Sequence, residues 1–340
     1  MKQLVLSRRG FIKKAAVTGL VTAVSGSLTG LISCNSAMAA AAPSQENLVG
    51  KFGIITDIHH AIKADDINGY ACEYYNAALG KVDVFIKQMN SMNMPFIIAN
   101  GDFNDQPADG SGSPAEMKDA CLKYTTEVEA AFSQFNGNRY HVMGNHEMEF
   151  CTKEEFASKV VNTGIPAKEG VYYYSFNSGK MHFVVLDAAY KADGTPLGVN
   201  TSFSWKDTFI PKQQLAWLKS DLAANNAPTI IFVHQLLEIP PANVEPPHAV
   251  SDAAEVRAIL EDSQQVVAVL QGHYHHGSFE ELNGIHYVNL AANDGYGSDP
   301  VIHNQYSVVE VHQTGNGKYQ VNLTGYGMQP SYTFPALIKQ

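Results

Sequence analysis

The chain has 340 residues, 45% of them hydrophobic and 16% charged, with a formal charge of −10. Its first 39 residues hold Lys2, Arg8, Arg9, Lys13 and Lys14 and no acid, so the remainder carries −15, which argues against a nucleic-acid-binding surface. Only Cys72, Cys121 and Cys151 lie beyond that segment and no Cys-x-x-Cys pair occurs, which excludes a disulfide-stapled scaffold and a cysteine zinc site.

The start, Ser7-Arg8-Arg9-Gly10-Phe11-Ile12-Lys13 followed by uncharged Ala15–Ser33, has the layout of a secretory signal. Its many Gly, Ser and Thr residues make it too polar for a membrane span of ~20 residues. The arginine pair resembles the bacterial twin-arginine (Tat) export motif, an address read by the Tat translocon. That resemblance implies an extracytoplasmic protein, periplasmic or at the cell surface. Two processing sites compete: Ala37-Met38-Ala39, cut before Ala40, and Leu31-Ile32-Ser33-Cys34, which looks like a lipobox and would put a lipid anchor on Cys34. Residues 1–39 are thus expected to be an export signal, 40–50 a linker, and 51–340 one domain without repeat or internal seam.

From Lys51 short apolar runs alternate with helical stretches, an α/β or α+β pattern. Phe52–Thr56 reads as a buried strand. Tyr70–Met92 carries Ala77, Leu79, Val82, Phe85, Ile86 and Met89 at helical spacing, and Pro95 separates it from a strand at Phe96–Asn100. A helix over Ala115–Phe135 and a strand over Tyr140–Met143 follow. Tyr172–Phe176 and His182–Leu186 flank the turn Asn177-Ser178-Gly179-Lys180, a hairpin. Pro211–Ala224 and Ser251–Leu260 read as helices, Thr229–Val233 and Val266–Leu270 as strands. Ile285–Gly327 alternates as strands around Gly315-Asn316-Gly317.

Five polar segments follow apolar runs: Asp57-Ile58-His59, Gly101-Asp102-Phe103-Asn104-Asp105, Gly144-Asn145-His146-Glu147, His234, and Gly272-His273-Tyr274-His275. In open α/β sheets the crevice beyond the strand ends is where ligands bind. Singly, Asp57 or Asn145 could cap a helix and His234 could be a satisfied core histidine. Together, oxygen and imidazole donors from five segments suit divalent metal ions.

These blocks, in this order over about Lys51–His276, resemble the calcineurin-like metallophosphoesterase family. The resemblance implies a four-layer αββα sandwich of two mixed sheets with a dinuclear metal site at the carboxyl ends of the strands. It assigns Asp57, His59 and His275 to a first ion, Asn145, His234 and His273 to a second, and Asp102 as the bridge. Manganese, iron or zinc would suit these ligands alike. His146 would stand beside the metals as the catalytic residue, and Asp105 would orient a ligating histidine, or else cap the next helix. The implied reaction is hydrolysis of a phosphate mono- or diester of a small molecule by a metal-bridging hydroxide.

Several features depart from particular branches. Asp105 stands where purple acid phosphatases carry a tyrosine, and the chain beyond His276 is too short for the substrate domain of 5′-nucleotidases. Tyr172–Ala188 and Pro211–Leu222 look similar to cyclic-nucleotide phosphodiesterases and to manganese-dependent ADP-ribose or CDP-alcohol diphosphatases, which often have glutamine where His59 stands. His60, Tyr274 and His276, with Tyr74, Tyr75 and Tyr296, are candidates to face substrate. The alternatives to an ester hydrolase are such a nucleotide diphosphatase and a catalytically silent metal-containing binding module.

Overall fold

A computed structural model describes residues 47–69, 72–107, 112–198, 205–206, 208–238, 248–315 and 317–335. Arg8, Arg9, Cys34 and Ala39, on which the export expectations rest, lie outside the described residues.

The first sheet contains β1 (Leu48–Ile55), β2 (Phe96–Ala99), β3 (Asn138–His141), β10 (Tyr306–Gly315), β11 (Lys318–Tyr326) and β12 (Tyr332–Phe334), in the order β12-β11-β10-β1-β2-β3. β1, β2 and β3 are parallel, and β10 joins β1 antiparallel. The second sheet contains β4 (Tyr174–Ser178), β5 (Met181–Val185), β6 (Thr229–Phe232), β7 (Val266–Gln271), β8 (His276–Leu282) and β9 (Ile285–Ala291), in the order β4-β5-β6-β7-β9-β8. β5, β6, β7 and β9 are parallel; β4 and β8 are antiparallel edges. Both sheets are therefore mixed.

Side-chain alternation on these buried strands builds the layers. Phe52, Ile54, Phe96 and Ile98 face the second sheet and meet Phe183, Phe232 and Leu270, whereas Ile55, Ile97 and Ala99 point to the other face. Phe52 stacks on Phe96 with centroids 4.9 Å apart, and Phe183 and Phe232 meet it edge-on. The outer face of the first sheet is covered by α1 (Ala78–Ser91) and α2 (Pro114–Phe132), through Val82, Phe85, Met89, Val128 and Phe132. α4 (Lys212–Ala223) and α5 (Ala253–Ser263) cover the second through Leu215, Leu218, Val256 and Leu260. A short α3 (Lys153–Ala157) precedes β4. The result is the expected αββα sandwich.

Several boundaries shift by two or three residues, among them β3, α2 and α5, and three differences matter more. β1 starts at Leu48, inside the stretch read as linker. α1 starts only at Ala78, because Tyr75–Ala77 forms a 3₁₀ turn. Asp105 does not cap α2: Ser113 does, in a capping box with Glu116 and with Pro114 in the first turn.

Candidate metal centre

Each of the five polar segments begins within three residues of a strand's carboxyl end. The loops after β1 and β2 are laced together: Asp57 N–H donates to Gly101 O (3.1 Å), and Ile58 and His59 N–H both donate to Asp102 O (2.8 and 3.0 Å). Within the second sheet Gly272 N–H, after β7, donates to His234 O, after β6, at 2.9 Å, and across the gap between the sheets His273 N–H meets both Asp57 carboxylate oxygens at 3.1 and 3.2 Å.

This lacing forces unusual backbone. Asp57, His59, Asp102 and His273 have φ of 51°, 47°, 51° and 70°, the left-handed region that costs a non-glycine residue of order 1–3 kcal/mol. Two glycines allow the close approach. A Cβ on Gly144 would stand 2.3 Å from Asp102 Oδ1, and one on Gly272 would stand 2.2 Å from Thr56 Oγ1 and 2.5 Å from Asp57 Oδ2.

The donors gather in two main sets, the atoms of each within 4.8 Å of one another: Asp57, His59 and His275, and Asp102, His234 and His273. His59, Asp102 and His146 form a third set joining the two. Asp102 sits at the junction. Its Oδ2 lies 2.8 Å from His234 Nε2 and 3.7 Å from His59 Nε2, while Oδ1 accepts the His146 backbone N–H at 2.9 Å.

Second nitrogens fix the ring orientations. His234 Nδ1 meets Asn100 O at 2.8 Å, and His59 Nδ1 meets Asp105 Oδ2 at 3.1 Å. When these rings ligate a cation, those nitrogens keep the protons and Nε2 of each is the lone pair turned inward. His59 Nε2 then faces His275 Nε2 at 3.1 Å, and Asn145 Oδ1 and His273 Nε2 are buried without a hydrogen-bond partner among the described residues. Converging lone pairs and orphaned acceptors are what a cation satisfies, so these residues fit a dinuclear metal centre.

Charge supports that fit. Burial would raise Asp57, but His234, His59 and His275 outweigh it and bring the carboxyl down to about 2. Burial lowers His275 to about 4, and burial with the neighbouring His234 lowers His273. That carboxylate is ionised and those two imidazoles are neutral, the forms that ligate metals. His59 and His234 differ: burial lowers both, but Asp294 and Asp105 raise His59 and Asp102 and Asp57 raise His234 to about 9, so a cation at these two rings displaces protons. His146 behaves differently: burial lowers it, but Glu149, Asp105 and Asp102 prevail and raise it well above the usual histidine value. Its Nδ1 stands 3.3 Å from Glu149 Oε1 and 3.6 Å from Asp105 Oδ1.

The candidate substrate residues separate. Tyr274 and His276 lie at the rim, with ring centroids 5.6 Å apart, and His248 stands 5.3 Å from Tyr274 and 5.1 Å from His273. His60 stands outside the donor sets: it is buried, hydrogen-bonded to Glu127 at 3.0 Å and packed edge-on against Tyr124. Sequence reasoning singled out none of Glu149, Trp205 and His248, although Met148–Cys151 and Leu236–His248 read as inserts that bear on substrate choice. Glu149 was detectable as an acid three residues after His146 in the 3₁₀ turn His146–Met148. Trp205, whose ring lies 5.6 Å from His273, follows no buried strand and gave no signal.

Comparison with known proteins agrees with this construction. In curated sequences the chain is 26% identical over 275 residues to a manganese-dependent ADP-ribose/CDP-alcohol diphosphatase of Arabidopsis thaliana, covering 71% of this chain and 85% of the relative. A protein of the same description from Oryza sativa subsp. japonica is 25% identical over 287 residues, covering 74% and 85%. Among solved structures, a dimetal phosphatase from Danio rerio superposes with a TM-score of 0.68 at 18% identity, over 85% of this chain and 100% of that one. A purple acid phosphatase from yellow lupin seeds gives 0.52 at 13% identity, over 84% and 52%; at these identities both structures speak to the fold alone. The family model for calcineurin-like phosphoesterases matches residues 50–277, which span all five donor-bearing loops, and the chain belongs to that family.

Proposed function

We propose that the protein is an exported phosphoesterase whose centre is built by Asp57, His59, Asp102, Asn145, His234, His273 and His275, with His146 as its catalytic residue. The observation that carries this reading is Asp102, one carboxylate within 4 Å of imidazoles from both donor sets. A carboxylate offers two anionic oxygens, so it is the natural bridge between paired cations.

When bound, two divalent cations supply positive charge and Lewis acidity at the phosphoryl group undergoing in-line displacement. The chain's own residues do the rest. Asp105 and Asn100 O turn His59 and His234 so that Nε2 points inward. Asp105 and Glu149 flank His146 Nδ1, leaving Nε2 for the substrate and favouring the protonated ring. That ring can hand a proton to the departing oxygen.

A nucleotide-type diphosphate linkage is the substrate reading best supported by the curated relatives, which are described as ADP-ribose/CDP-alcohol diphosphatases and as manganese-dependent. Trp205, His248 and Tyr274 line the His273 side of the centre and offer aromatic faces to a base. The test is hydrolysis of nitrophenyl mono- and diesters, ADP-ribose and CDP-alcohols with Mn²⁺, Fe²⁺ and Zn²⁺. No turnover of any phosphorus ester would leave the silent binding module in its place.

Export is supported by Arg8-Arg9 ahead of an uncharged stretch, and Tat export of a folded chain allows metal loading before transit. Changing both arginines to lysine should retain the protein in the cytoplasm; unaltered secretion would sink this reading. Intact mass of the exported chain distinguishes cleavage after Ala39 from lipid on Cys34. Among the described residues no helix is long and apolar enough to cross a membrane.

A further inference from the structure

The loop after β9 carries a buried carboxylate, Asp294, which gathers with Glu73 and His275 within 4.8 Å but belongs to neither main donor set. Its backbone N–H donates to Asp57 O at 3.1 Å, Asn293 N–H donates to Thr56 O at 3.0 Å, and Tyr74 N–H donates to Asp294 O at 3.0 Å. Lys81, buried on α1, donates its ammonium to the carbonyls on either side, Asn293 at 2.7 Å and Gly295 at 3.3 Å. The backbone of Asp294 is thus clamped against the end of β1. Its carboxylate is fully buried, yet neither oxygen has a hydrogen-bond donor among the described residues.

The missing donor is close by. A histidine that ligates through Nε2 carries its proton on Nδ1 and needs an acceptor there. Asp105 is that acceptor for His59, and Asn100 O for His234. His275 Nδ1 has none: it is buried, 3.9 Å from Asp294 Oδ1 and 3.6 Å from Glu73 Oε1. Glu73 already receives the Tyr75 hydroxyl on its other oxygen, whereas Asp294 has both oxygens free of donors. An orphaned acceptor therefore faces an orphaned donor, and a shift of under about 1 Å closes the pair to hydrogen-bond length.

From this juxtaposition we infer that Asp294, assisted by Glu73, is a positioning residue for the metal centre: it accepts the His275 Nδ1–H and holds Nε2 of that ring towards Asp57 and His59. Burial raises the Asp294 carboxyl, and His59 and Lys81 act against that effect. The inference rests on the ligand assignment proposed above, and it concerns one half of the centre only. Loss of such an orienting carboxylate weakens metal binding by about 10- to 100-fold.

The experiment is calorimetric titration of Mn²⁺ into the full chain freed of metal by chelation, with no substrate present. The wild type should bind two cations. Isosteric Asp294→Asn should bind one as the wild type does and the other about 10- to 100-fold more weakly. Glu73→Gln, a change at a half-buried residue, should show a smaller loss at the same site. Equal weakening of both sites marks general loosening and overturns the inference, as do two sites of unchanged affinity in folded Asp294→Asn. Should that variant not fold, unchanged affinity in Glu73→Gln overturns it. A wild type that binds fewer than two cations overturns the ligand assignment itself, and this inference with it.

Discussion

His234 and Asp102 meet at 2.8 Å, Nε2 to Oδ2, and so tie the end of β6 in one sheet to the end of β2 in the other. The same carboxylate faces His59 and accepts the His146 N–H, so it belongs to every part of the centre at once. Asp102→Asn should remove more activity than loss of any single terminal ligand, by about 10³-fold, equivalent to about 4 kcal/mol. Metal content should fall with rate. A variant that retains two ions and near-normal turnover shows that the bridge has been misassigned.

Gly144 has no room for a methyl group. A Cβ there would lie 2.3 Å from Asp102 Oδ1 and 2.4 Å from its backbone nitrogen, and a backbone atom cannot rotate away. Gly144→Ala should therefore displace Asp102 while leaving every donor in the sequence, and misplacement by about 1 Å costs about 10²-fold in rate. Wild-type turnover in this variant would mean that the β2 and β3 loops are looser than their hydrogen bonds indicate.

Lys153 and Asp187 form a buried ion pair at 2.5 Å, with the ammonium 3.4 Å from the centroid of the Tyr190 ring. Asp187→Asn leaves that charge unpaired and should cost about 3–5 kcal/mol in urea unfolding. Burial pushes the Lys153 ammonium down to about 8, against Asp187, from an ordinary lysine value of 10.5. The folded chain then releases this proton before the unfolded chain does, so the contribution of the group to stability rises between pH 8 and 10.5. Lys153→Met should lack that rise. Parallel stability profiles for the two proteins across this range would contradict the assignment.

The five donor-bearing blocks were legible because each is a polar break immediately after a buried run, a local pattern that survives without coordinates. Inward-facing Phe52, Phe96, Phe183 and Phe232 were legible as strand residues for the same reason. β8 was missed: its sequence, His-Gly-Ser-Phe-Glu-Glu-Leu, is exposed at a sheet edge and has no apolar run to announce it. The late start of α1 was hidden because Tyr75–Ala77 keeps helical composition while winding as a 3₁₀ turn. His60 shows the limit of adjacency. It neighbours His59 in sequence, but the left-handed backbone of His59 sends the two side chains apart, one to Asp105 and the other to Glu127. Asp294 was hidden for a third reason: its place depends on the hydrogen bond to Asp57 O, made between segments far apart in the chain.

His146 stands beside the donors without being needed to complete either main set, and its Nδ1 faces Glu149 and Asp105 rather than a ring of the centre. His146→Ala should therefore leave two metals bound, by elemental analysis, while slowing hydrolysis by about 10²- to 10⁴-fold, the usual contribution of a general acid. The loss should depend on the leaving group. A nitrophenolate departs with little protonation, whereas an alkoxide needs the proton from Nε2, so alkyl phosphate esters should suffer more than nitrophenyl esters when chemistry limits both rates. Equal losses would assign His146 to charge stabilisation at the phosphoryl oxygens instead. Loss of a metal ion from the variant would move His146 into the ligand set, and the third donor set, His59, Asp102 and His146, would then have to be read as a binding site in its own right.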